Sequence, residues 1–373
     1  MYKALDLWLP AYLSRPRRPL PDGTLDLLFA VCDHFEPRHD ADPATARERV
    51  RRWQQIWPAL IAPFRDADGV PPRHTFFYPI EQYDPELLSP LTELCSATGA
   101  EVEVHLHHDQ DSATGLRARL ERGKADLARH GLLSRDAHGN PRFGFIHGNW
   151  ALDHSHPQGR HCGVPEELDV LLATGCYADF TMPSAPDPTQ TRTINSLYYA
   201  TENGLPKSHD SGCPARVRNR NADPPPNGLL CVQGPLALNW QRRKFGLLPR
   251  IENGALTGAN PPRPDRMRLW VRLHIHVAGQ PNWLFIKLHT HGGVPRNMLT
   301  LLGEPMCRFW EHALTHYNDG RRFRLHFVTA REMVNILHAA EDGHTGNPGH
   351  FRNYRFEPPP VLARSSTSAP PPP

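Results

Sequence analysis

A chain of 373 residues carries 42 basic and 39 acidic side chains, a net charge of only +3 spread along its length. It has no clustered basic stripe, which argues against a nucleic-acid partner, and no apolar run near the ~20 residues of a membrane span. Its length allows a core that folds without disulfides or a structural metal. The seven cysteines form no CxxC pair and read as small buried hydrophobes in a reducing compartment. The first residues lack the basic-then-apolar order of a secretory signal, so a cytoplasmic location is expected.

Residues 25–31 (LDLLFAV) are almost continuously apolar, as in a strand buried on both faces. Asp42-Pro43 then supplies an N-cap and a proline at the first helical position, and Val50, Trp53, Trp57, Leu60 and Phe64 follow at helical spacing. The grammar repeats: a strand over 74–80, then a helix opened by Asp84-Pro85 and closed by Gly99. Residues 101–108 and 142–147 read as strands, as do 177–182, with helices ending at Gly131 and Gly175 between them. Such alternation implies parallel βαβ units whose sheet either closes as a barrel or lies open.

From 183 to 265 the pattern dissolves into proline, asparagine and glycine with short apolar pieces such as 229–233. A structureless loop of that length does not suit a compact domain, so an inserted cap folding over the site is expected. Residues 268–276 and 283–289 look like strands, 299–316 like a helix, 323–328 like a strand and 330–340 like a closing helix. Residues 357–373 end in four prolines and are expected to be disordered.

Histidine is the compositional outlier, with 23 residues, and it is both the commonest metal ligand and a proton shuttle near neutral pH. Four clusters stand at expected strand ends, where β/α proteins build their sites. They are Asp33-His34-Phe35-Glu36; His105-Leu106-His107-His108-Asp109; His147-Gly148-Asn149-Trp150 with Asp153, His154 and His156; and His289-Thr290-His291-Gly292-Gly293. Side-chain alternation puts Val102, Val104 and Leu106 on one face of the second strand, with Glu103, His105 and His107 on the other. Two imidazoles on one face beside carboxylates can share a divalent ion, zinc before iron, cobalt or nickel. No GxSxG elbow, Walker loop or GxGxxG turn occurs, which leaves serine hydrolase, P-loop and dinucleotide chemistry without support.

At these clusters the chain resembles the polysaccharide deacetylase (NodB-homology) superfamily. AVCDHFEP stands where the family has a strand ending in paired acids, and EVEVHLHHD where it has a strand ending in two histidines. FGFIHGNW replaces its arginine-proline loop without an arginine, and LFIKLHTHG supplies its leucine-x-histidine. The resemblance implies an α/β fold, a distorted β/α barrel of about seven strands. One catalytic domain would then cover 1–356, with 183–265 as the cap. It further implies a zinc-dependent hydrolase deacetylating an N- or O-acylated carbohydrate, with Asp33 as base and His289 as acid.

Metal ligands would come from His34, Glu36, His105, His107, His108 and Asp109. Substrate contacts would come from His147, Asn149, Trp150, Asp153 and His291, with Trp150, Trp283 and Tyr83 as stacking surfaces for a sugar ring. The rivals are a metal-dependent amidohydrolase on a non-sugar amide and a barrel that binds carbohydrate without turnover. The expected partner is a small-molecule or oligosaccharide substrate, with no nucleic acid or membrane.

Overall fold

A computed structural model describes residues 4–15, 19–218 and 223–362. Helix α1 (Leu5–Ser14) buries Trp8 against Ala185 and Leu236. Strand β1 (Leu25–His34) is buried along all ten residues, which accounts for its unbroken apolar run. Its alternate side chains serve two cores. Leu25, Leu27, Phe29 and Val31 join Trp53 and Trp57 of helix α2 (Pro43–Ile61). Leu28, Ala30 and Cys32 join a second cluster on the opposite face.

Three more units follow in the expected order: β2 (Thr75–Pro79), α3 (Pro85–Thr98), β3 (Glu101–Leu106), α4 (Ala113–Arg129), β4 (Pro141–His147), α5 (Glu167–Thr174) and β5 (Cys176–Asp179). Asp42 and Asp84 do cap α2 and α3, accepting from the Thr45 and Glu86 amides. Gly99 ends α3 at φ 69°, a left-handed conformation that favours glycine.

The stretch expected as a cap, 183–265, contains several strands. β6 (Leu197–Thr201) pairs antiparallel with β7 (Gly228–Val232), and β7 joins β5 in parallel through Asp179 and Cys231. A separate hairpin, β8 (Ala237–Lys244) and β9 (Leu248–Glu252), follows. Residues 268–276, expected as a strand, lie mostly in helix α6 (Pro264–Leu273). Met267, Leu269, Val271 and Leu273 do alternate along this stretch. Yet Pro264 starts a helix, and Trp270 packs against Phe29 and Phe309. The chain ends with β10 (Trp283–Thr290), α7 (Pro295–Leu301), α8 (Glu304–Tyr317), β11 (Phe323–Phe327) and α9 (Ala330–Glu341). The single expected helix over 299–316 is thus two, broken at Gly303.

The main sheet runs β10-β1-β2-β3-β4-β5-β7-β6, all parallel except β6. β10 follows one edge of β1 from Asp26 to Asp33; on the other edge β11 pairs with Leu25–Phe29 and β2 with Cys32–His34. The expected barrel does not close: among the described residues no ladder joins β6 or β7 to β10. Pro183 and Pro186, just after β5, lack the N–H that a continued ladder needs. Side chain and loop bridge the gap instead. Lys287 of β10 donates to the Phe180 carbonyl and, at 3.0 Å, to that of Met182. The Gly234 amide donates to the same Met182 carbonyl at 3.1 Å, and a side-chain carbon there would overlap the Lys287 carbonyl.

Helix α9 is buried at all twelve positions and packs in the second core, against the face of the sheet that carries Leu28, Ala30 and Cys32. Its start is tied to the beginnings of β2 and β3, where the Ala330 amide donates to Thr75 Oγ1 and Thr329 Oγ1 to Glu101. Residues 357–362 are also ordered, contrary to expectation: Glu357 pairs with Arg135 and the Val361 amide bonds the Gly131 carbonyl. Residues 363–373, the rest of the expected tail, lie outside the described residues. All seven cysteines are free thiols, and no described helix is long and apolar enough to cross a membrane.

Candidate metal centre

β1, β3 and β10 end on the same edge of the sheet, with β2 between β1 and β3, and their last residues and the loops just beyond bring His34, Glu36, His105, His107, His289 and His291 together. Donor atoms of His34, Glu36 and His105 all lie within 4.8 Å of one another, and all three residues are buried. His105 Nδ1 sits 2.8 Å from the Ile146 carbonyl, a contact that needs the proton on Nδ1. Its Nε2 therefore turns a lone pair toward Glu36 Oε1 at 3.1 Å. A lone pair facing a carboxylate calls for a proton or a cation between them. His34 Nε2 is buried with no hydrogen-bond partner, a costly state for a polar atom unless something else binds it. Two imidazoles and a carboxylate form a donor set that can hold a divalent metal ion.

The surrounding groups set the charge. Burial works against the Glu36 carboxylate, but the neighbouring His105 and His107 hold its pKa well below the usual range. His107 reaches Glu36 at 3.5 Å and Glu81 at 2.7 Å. Against the burial penalty, these two acids raise its pKa to about 9. Burial, aided by Lys287 and His291, keeps the His289 pKa far below normal, so its imidazole is neutral at pH 7. Burial also lowers His291, although Glu36 and Asp33 pull the other way. The His291 ring stacks on His34 at 4.6 Å, and His289 lies 6.0 Å from it. Trp150 approaches both His34 and His291, at 6.0 and 5.9 Å.

Asp33 points to the opposite face of β1. Its oxygens accept from the Gly292 amide at 2.5 Å and meet His74 Nε2 at 2.9 Å, and it is fully buried. A side-chain carbon at Gly292 would collide with this carboxylate, so the turn must be glycine. A carboxylate with both oxygens committed holds the His291–Gly292 turn rather than facing a water molecule, which departs from the expected role as base. Asp33→Asn should accordingly cost about 1.5–3 kcal/mol of stability, the range for hydrogen bonds to charged groups, with bound metal near its wild-type level. Urea unfolding and metal analysis check this. A catalytic base would instead give inactive protein of unchanged stability.

The remaining expected residues scatter. Asp109 is exposed and accepts from the His161 amide. Asn149 is exposed, with φ 55°. Asp153 is buried, its pKa raised to about 9 by burial and by Glu202 and Glu167, and its carboxyl accepts from the Ser208 amide. Trp283 lies in the core at the opposite end of β10, and Tyr83 meets His130. His108 and His147 turn away from His105 to join Cys162 and Glu167 in a second buried group.

Sequence reasoning missed Glu167, Cys162, Glu81 and His74, since none stands beside a strand-end histidine pair, and Lys287, whose charge is unexpected in a strand buried at every position. A third group, Asp66, Asp68 and His326, is already neutralised by Arg352, which pairs with both acids.

No family model matches the chain. No curated protein matches it either. Among solved structures it is similar to the 4-alpha-glucanotransferase from Thermococcus litoralis, at 10% identity and a TM-score of 0.42. That likeness covers 84% of this chain and about 40% of the length of the other.

Proposed function

We propose that the chain is a metal-dependent hydrolase that removes an acyl group from an N- or O-acylated carbohydrate. The observation that carries this reading is the buried, unpartnered His34 Nε2 beside His105 Nε2 and Glu36. These three residues would hold a divalent ion, zinc by its donor set. When bound, the ion would polarise the acyl carbonyl and lower the pKa of a water molecule toward about 7. The chain's own residues then move the protons. His289 and His291 are neutral imidazoles within reach of His34, suited to accept the proton that the attacking water gives up. The same imidazole, now protonated, returns it to the leaving nitrogen or oxygen as the acyl bond breaks. The Trp150 ring beside His34 and His291 offers an apolar face for a sugar.

The test is release of carboxylic acid from acetylated amino-sugar oligosaccharides by untagged protein, measured before chelation, after it, and after zinc is restored. Activity that follows the ion supports the reading. Bound ion without acid release from any acylated sugar refutes it. His289→Ala should lower kcat by ~10²–10⁴-fold, the usual contribution of a proton-transfer group, with the bound ion retained. Loss of the ion in that variant would make His289 a ligand.

A further inference from the structure

Four side chains from four stretches of chain meet beside the first centre: His108 after β3, His147 at the end of β4, Cys162 in the following loop and Glu167 at the start of α5. We propose that they form a second, closed site for a tetrahedral divalent cation, zinc by donor type, that pins residues 148–166 to the strand ends. This inference is independent of the hydrolytic reading of the first centre.

All four residues are buried, and their donor atoms lie within 4.8 Å of one another. His147 Nδ1 is 2.5 Å from the Gly148 carbonyl and so carries the proton. Its Nε2, on a fully buried ring, has no hydrogen-bond partner and lies 3.5 Å from Glu167 Oε2. His108 Nε2 lies 3.2 Å from Glu167 Oε1, and Cys162 Sγ lies 3.5 Å from Glu167 Oε2. Zinc bonds of about 2.0–2.3 Å give a tetrahedron with edges of about 3.3–3.8 Å, the scale of the three separations that run to Glu167. Behind His108, Asp111 Oδ2 stands 3.5 Å from Nδ1 and pairs with Arg119 at 3.1 Å.

The chemistry selects among ions. Thiolate and imidazole donors suit zinc and disfavour magnesium and calcium, which take oxygen. Four protein donors with no exposed face leave no position for substrate, the mark of a structural site. Cys162 binds as thiolate, so its proton passes to solvent as the ion enters.

The loop that such an ion would hold is a run of short turns rather than regular helix or strand. Asn149, Trp150, Asp153, His154 and His161 all have positive φ without being glycine, conformations that persist only where the surroundings enforce them. That loop carries Trp150 onto His34.

The test uses the full chain, purified untagged, stripped by chelation and titrated with cobalt(II) alone. A thiolate-to-cobalt charge-transfer band in the near ultraviolet is expected. Cys162→Ser should abolish it and lower bound cobalt by about one equivalent, whereas His34→Ala should leave it in place. No band in the wild type, or a band that survives Cys162→Ser, overturns the site. Zinc-edge X-ray absorption of the wild type needs no variant to fold. One sulfur at about 2.3 Å is expected, and a shell of nitrogen and oxygen alone overturns the proposal. Neither signal depends on hydrolysis, so failure of the first centre as an enzyme leaves both intact.

Discussion

Replacing His105 by alanine is expected to release the ion of the first centre and to lower turnover by at least about 10⁴-fold. The size follows from the water: without the ion its pKa returns from about 7 to 15.7, and almost no hydroxide remains at neutral pH. His105 is the decisive ligand because its Nδ1 is already fixed on the Ile146 carbonyl and its Nε2 on the Glu36 side. No rotation of a neighbour replaces it. Its two companions serve as controls. His107 is partly exposed and paired with Glu81, so His107→Ala should retain the ion. His108 faces Glu167, so His108→Ala should remove the thiolate signal and spare the first centre. Metal analysis beside the acyl-release assay separates the three variants. Full activity in metal-free His105→Ala would refute the mechanism.

Arg331→Met is expected to cost about 3–5 kcal/mol, the penalty for leaving a buried charge without its partner. The Arg331 guanidinium is nearly fully buried and reaches Glu101 at 2.7 Å, Asn353 Oδ1 at 2.8 Å and the Phe356 carbonyl at 2.8 Å. It ties the central helix α9 to the first residue of β3 and to the C-terminal segment at once. Methionine fills much of the space but leaves the Glu101 carboxylate with only the Thr329 hydroxyl. Adding Glu101→Gln should recover part of the loss, because the amide carries no charge to solvate. Urea midpoints for the single and double variants test this. A change below about 1 kcal/mol in Arg331→Met would mean that water reaches Glu101 after all.

Much of the first half of the chain was legible because local signals agree there. Proline at N1, aspartate caps and a left-handed glycine bracket α2 and α3, and the intervening strands are buried on both faces. The histidine pair of β3 was legible for the same reason, since alternation alone puts His105 and His107 on one face. Where two periods fit one stretch, the sequence misled. Residues 267–275 alternate as a strand does, yet Trp270 also fits a helical stripe, and the pocket between Phe29 and Phe309 chose the helix.

Strand ends, caps and the wealth of histidine are properties of neighbours along the chain, and sequence alone determined them. Tertiary structure decided which side chains meet. It turned Asp33 toward His74 and away from His34 and His105, because a single step along β1 reverses the face. It separated His107 from His108 into two different groups for the same reason. It also brought Cys162 and Glu167, 54 and 59 residues after His108, within reach of it. No local pattern encodes that meeting, which depends on where the loop after β4 returns.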